Sequence, residues 1–78
     1  MVLRVNIGGP AHLYTNAIPA EMMAIGTVTR RSGHIGALVR YQGGAYAQIN
    51  GATVCPLDRR EVISAMIEAR ADQDRKPR

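Results

Sequence analysis

YQGGAYAQINGATVCPLDRREV, residues 41–62, is the stretch that decides the architecture. Gly43-Gly44 suits the positive φ angles of a two-residue hairpin turn between two β-prone runs. Centring the turn on that pair sets Tyr41 opposite Tyr46, Val39 opposite Gln48 and Leu38 opposite Ile49. Alternation along each strand then puts Leu38, Arg40, Ala47 and Ile49 on one face, and Val39, Tyr41, Tyr46, Gln48 and Asn50 on the other. The first face has the composition of a core. The second mixes aromatic rings with amides and is expected to be an exposed recognition surface. After an Asn50-Gly51 turn the chain reaches Pro56-Leu57-Asp58, where two signals agree on a helix start. Asp58 and Glu61 have capping-box spacing, and Leu57 and Val62 occupy the two ends of a hydrophobic staple. Val62, Ile63, Met66 and Ile67 then supply an apolar stripe, with Glu61, Glu68, Arg70 and Asp72 on the wet side.

Upstream, Val2, Leu3, Val5 and Ile7 alternate with Arg4 and Asn6 as in a strand and end at the turn Gly8-Gly9-Pro10. Thr27–Arg31 and Ile35–Tyr41 are β-prone runs separated by Ser32-Gly33-His34, a second hairpin with Arg30, Arg31 and His34 at its tip. Residues 11–25 carry mixed signals: Leu13-Tyr14-Thr15 suits extended chain. Pro19 followed by Glu21 suits one or two helical turns closed by Gly26. The expected fold is α+β, a small antiparallel sheet of three to four strands with a C-terminal helix packed on one face. Residues 1–72 form one domain, and residues 73–78 form a basic disordered tail.

Seventy-eight residues lie near the lower limit at which an apolar core holds a fold without metal or disulfide. Hydrophobic residues make up 46%, but eleven are Ala and there is no Phe or Trp, so the core is thin and aliphatic and would gain from a homodimer. The single cysteine, Cys55, excludes an internal disulfide framework and a thiolate metal cage from this chain alone. No stretch is long and apolar enough to span a bilayer, and no basic region precedes an apolar run at the start. The expected setting is the reducing cytoplasm of a bacterial host cell, away from membrane. The net charge is +4, of which residues 1–57 carry +3, residues 58–72 −1 and residues 73–78 +2. A basic sheet half permits contact with nucleic acid or with an acidic protein groove.

Chemistry has few footholds. Cys55 stands three residues before the helix start with His34 and Arg59 as possible neighbours, yet no third orienting residue is indicated, and a small buried hydrophobe is the simpler role. His12 and His34 match no metal-ligand spacing. Gly8-Gly9-Pro10 lacks the lysine and hydroxyl of a phosphate loop. No catalytic residue, cofactor or metal is therefore expected. Arg30, Arg31, Arg40, Tyr41, Tyr46 and Gln48 remain as the partner-binding set, because guanidinium groups beside aromatic rings hold phosphates, stack bases and anchor protein interfaces. The simpler alternative is a solvated hairpin with two half-buried tyrosines.

Tyr46-Ala47-Gln48-Ile49-Asn50, with Leu57-Asp58, Arg60 and Val62 downstream, resembles a segment of small proteins of bacteriophages, plasmids and other mobile elements. It covers about a quarter of the chain. The resemblance implies a genomic setting more than a mechanism; in size and economy alone the chain is similar to anti-CRISPR inhibitors. The functional expectation is a non-enzymatic binding protein, a phage or mobile-element inhibitor or modulator of a host nucleoprotein complex acting by surface occlusion. Its rival is a small dimeric DNA-binding regulator that uses the basic hairpins or Arg59 and Arg60.

Overall fold

The computed structural model describes residues 3–15 and 18–75, with side chains described as far as residue 73. Five strands form one antiparallel sheet in sequence order: β1 (Leu3–Ile7), β2 (Met23–Arg30), β3 (Ile35–Tyr41), β4 (Ala45–Asn50) and β5 (Thr53–Leu57). A helix, α1 (Arg59–Arg75), follows. The α+β class agrees with the sequence reading; the strand count does not, because Thr53–Leu57 pairs with β4 as a fifth strand. Pro56 cannot donate to a central ladder, and β5 is accordingly an edge strand. Residues 73–75, expected in a disordered tail, continue α1, and residues 76–78 lie outside the described residues. Pro19–Met22 forms a single turn closed by the Met22 amide on the Pro19 carbonyl (2.9 Å), after which β2 begins at Met23 instead of a longer helical segment.

The β2–β3 hairpin has a three-residue tip, Arg31-Ser32-Gly33, with Gly33 at φ 93° and its amide donating to the Arg30 carbonyl at 2.8 Å. That is a type I turn followed by a glycine bulge, the usual three-residue hairpin solution. The β3–β4 connection also has three residues, Gln42–Gly44, with φ values of 39°, 70° and 99°. A two-residue Gly-Gly turn would have given a different register. The extra residue pairs Tyr41 with Ala45, Val39 with Ala47 and Leu38 with Gln48. A slip of one residue sends every side chain of a strand to the opposite face, and the face assignment drawn from the sequence is corrected accordingly. Leu38, Arg40, Tyr46 and Gln48 share the helix side, while Val39, Tyr41, Ala47 and Ile49 share the other.

Each face has its own cluster. Under α1 lie Leu3, Val5, Val28 and Leu38, closed by Val62 and Ala65 of the helix and flanked by Ile25, Tyr46, Leu57, Met66 and Ala69. Residues 62, 65, 66 and 69 follow the i, i+3, i+4, i+7 spacing of one helix face. The sequence stripe had given the bulkier Ile63 and Ile67 that place, but both point outward, Ile67 being 65% exposed. On the opposite face Ala37, Val39, Ala47 and Ile49 are buried with Ala11 and flanked by Ile18, Met22 and Tyr41. This second layer is the connection from β1 to β2, including a short 3₁₀ turn at Ala11–Tyr14. Its far end is tied to the β4–β5 turn, the Gly51 amide donating to the Tyr14 carbonyl at 2.8 Å and the Thr15 hydroxyl to the Gly51 carbonyl at 3.2 Å. Small Ala37 and Ala47 let an irregular segment lie close to the sheet, so the face expected to be open is covered.

Asp58 caps α1 as the sequence indicates: its Oδ1 accepts from the amides of Arg60 (2.8 Å) and Glu61 (3.4 Å), a contact worth about 1 kcal/mol. The Glu61 carboxylate does not return a bond to the Asp58 amide. At the other side of the sheet β2 carries a bulge between Ala24 and Gly26. A Cβ on Gly26 would overlap the Asn6 carbonyl oxygen and come within 2.9 Å of Ile7 Cα, so only glycine lets β1 pair at this point. Gly26→Ala is expected to destabilise the fold by about 1–3 kcal/mol, the range for overpacking, measured as a lowered midpoint in urea unfolding.

Candidate functional site

A sheet of five strands is roughly 20 Å across at about 4.8 Å per gap, whereas one helix covers about 10 Å. α1 leaves β5 at one corner and packs chiefly on β1. It therefore leaves the opposite corner of its own face uncovered, where the β2–β3 tip meets the β4–β5 hairpin. A cleft of about 580 Å³ occupies that corner. Arg30, Arg31, Ser32 and His34 line one side, Gln48, Asn50, Thr53 and Cys55 the other, and Leu3 and Glu61 complete it. The register explains the second wall: Gln48 pairs with Cys55 and Asn50 with Thr53, so all four side chains rise on the helix side of β4 and β5.

Gln48 is the unusual member. It is only 4% exposed, and its Oε1 is buried without a hydrogen-bond partner among the described residues. Its side chain lies across Gly36, where a Cβ would come within 2.6 Å of Gln48 Cγ and 2.7 Å of Nε2. Gly36 thus provides the berth for an amide. Leaving a buried acceptor unpaired costs about 1–3 kcal/mol, which an apolar side chain of similar size would avoid. The neighbouring polar groups are fixed: Asn50 Nδ2 donates to the Ile35 carbonyl at 3.2 Å, and the Ser32 hydroxyl and His34 Nδ1 are hydrogen-bonded at 2.9 Å. No hydrogen bond joins the Cys55 thiol to His34. Among the described residues no group of three or more His, Cys, Asp or Glu is placed to hold a metal ion.

The six residues singled out from the sequence are not brought together. Arg30 and Arg31 stand exposed at the hairpin tip, and Gln48 lines the cleft beside them. Arg40 lies at the far end of β3, roughly 20 Å along the strand from the tip at about 3.3 Å per residue. It pairs with Tyr46 and folds its guanidinium toward the Gln42–Gly44 turn. Tyr46 is half-buried against the helix-side cluster, and Tyr41 is half-buried in the cluster on the other face. Ser32, Asn50, Thr53, Cys55 and Glu61 belong to the cleft but were not among the residues chosen. The β-prone Thr53-Val54-Cys55 after a turn was the signal for them, and reading it as a strand would have placed Thr53 and Cys55 across from Asn50 and Gln48.

Gln48→Leu keeps volume and removes the orphaned acceptor, so the variant is expected to be as stable as the parent or more stable by up to about 3 kcal/mol; chemical unfolding of the two proteins measures it. Comparison with known proteins returns no match among family models, among curated proteins or among solved structures, so the reading of this cleft rests on its geometry.

Proposed function

We propose that this chain is a non-enzymatic binding protein that uses the β2–β3 end of its sheet to occlude a phosphate- or carboxylate-rich surface of a larger assembly. One observation carries the reading: Arg30 and Arg31 are exposed at a hydrogen-bonded hairpin tip, and neither has a carboxylate partner within ion-pair distance among the described residues. Guanidinium groups left free on a well-formed turn are pre-organised donors for phosphate or carboxylate oxygens. A host nucleoprotein complex offers both. An inhibitor or modulator carried by a phage or plasmid, similar in economy to anti-CRISPR proteins, fits this mode of action, as does the mobile-element resemblance of the Tyr46–Asn50 segment. Arg40, Tyr41 and Tyr46 lie away from that end and would serve a separate contact.

A second reading, a dimeric DNA-binding regulator, is favoured by one feature of α1. Arg59 and Arg60 are exposed in its first turn, and Ile63 and Ile67 leave an apolar outer stripe that a second copy could cover. Salt separates the two readings, since phosphate-dominated DNA binding weakens with a log–log slope of roughly −0.9 per neutralised phosphate. The direct test of the first is Arg30→Glu combined with Arg31→Glu, assayed against the target captured from host extract with and without nuclease. Loss of two charge-assisted contacts at about 1.5 kcal/mol each predicts a drop in affinity on the order of a hundredfold, with unchanged circular dichroism. Retained affinity removes the hairpin tip from the interface.

A further inference from the structure

Asn50-Gly51 ends β4 and opens the turn to β5, and it is a chemically unstable pair. In a free chain the glycine nitrogen, with no side chain beside it, reaches the asparagine carboxamide carbon and closes a five-membered ring. At Asn6 and Asn16 the same step is hindered by the side chains of Ile7 and Ala17 that follow them. In the folded protein both reacting groups of Asn50-Gly51 are engaged. The Gly51 amide donates to the Tyr14 carbonyl at 2.8 Å, and Asn50 Nδ2 donates to the Ile35 carbonyl at 3.2 Å. The Thr15 hydroxyl holds the Gly51 carbonyl at 3.2 Å, and Asn50 is paired with Thr53. An amide proton bound to a carbonyl is not free to leave, so the nitrogen cannot attack. Both residues are nevertheless exposed, and water and base reach them once these bonds open.

From these contacts we infer that Asn50-Gly51 is a self-modification site whose rate the β1–β2 connection governs: held by Tyr14 and Thr15 the pair reacts slowly, and released from them it deamidates. On release the Gly51 nitrogen gives its proton to hydroxide and bonds to Asn50 Cγ. The Cγ–Nδ2 bond breaks, and Nδ2 leaves as ammonia with a proton from water. A water molecule then opens the cyclic imide at either carbonyl, leaving an aspartate linked through its main-chain or its side-chain carboxyl. One water is consumed and one ammonia released, with no change of oxidation state. The new carboxylate cannot donate to the Ile35 carbonyl, and the net charge falls by one from +4. Asn50 lines the same cleft as Arg30 and Arg31, so the anion arises at the end of the sheet assigned to partner contact. The change is one-way and its timing is set by opening of the second layer. Its chemistry goes beyond the proposed function; only its effect on partner contact rests on that reading.

The test is incubation of the full chain at mildly alkaline pH, folded and in urea, followed by peptide mapping for the mass gain of an amide-to-acid change. Position 50 is expected to react at least about tenfold faster in urea than in the folded protein, the effect of releasing its two hydrogen bonds. The product should be a mixture of main-chain and side-chain linkages, with Asn6 far slower under both conditions. In folded protein, Thr15→Val should react about fivefold faster than the parent, the contribution of one hydrogen bond, and Thr15→Ser, which keeps the hydroxyl, should stay at the parent rate. Circular dichroism checks that both variants are folded, and the folded-against-urea comparison needs neither of them. Equal rates folded and in urea, a folded Thr15→Val protein at the parent rate, or a product with main-chain linkage alone would each overturn the inference. These rates are read without a target, so their failure leaves the Arg30→Glu, Arg31→Glu capture test standing, and failure of that test leaves the chemistry of the turn standing.

Discussion

One helix lies over a sheet twice its width, and the organisation of the molecule follows from that mismatch. About half of the helix-side face can be buried by α1, and the diagonal path from β5 to β1 determines which half. The covered part holds Leu38, Val28 and Val62, all fully buried. The uncovered part is left to side chains that tolerate water or need a partner: Asn50, Thr53 and the arginines of the tip. The other face has no helix to cover it, and the connection from β1 to β2 lies there instead, over alanines small enough to let it approach. With no Phe or Trp, two thin layers of aliphatic contacts replace one thick core.

Local signals made parts of this legible. Asp58 and Leu57 located the helix start because a cap and a staple act within one turn of chain. Gly33 located a hairpin tip for the same reason. The register of β3 against β4 was not legible, since Gly43-Gly44 serves either a two-residue or a three-residue turn. The choice depends on Gln42 adopting a positive φ of 39°, which no dipeptide rule encodes. What decides it is packing: the observed register buries Ala37, Val39, Ala47 and Ile49 together under the β1–β2 connection, a layer that had no recognisable pattern in residues 11–25.

The candidate site divides in the same manner. Arg30 and Arg31 were legible as exposed tip residues because their position follows from the turn alone. Gln48 was named for the wrong reason, as part of an open amide and tyrosine surface, and the structure puts it under cover on the other face. The cleft as a whole requires β5, and Pro56 masked that strand. Gly36 shows how far apart the determinants of one side chain's position can be: a residue on β3 leaves room for an amide on β4 that lines a cleft closed by β5.

Pro56 has one more effect, on the rim of the sheet. In a ladder closed by the two-residue Gly51-Ala52 turn, pairing alternates so that residue 56 turns its nitrogen outward. The outer margin of β5 thus lacks one of its few donors and is a poor template for further strands, whereas β1 has no strand beyond it among the described residues. A sheet with one competent margin can join a like copy only by margin meeting its own kind. Such a union would use up the free margin of both copies and close as a twofold pair, which disfavours growth into fibres.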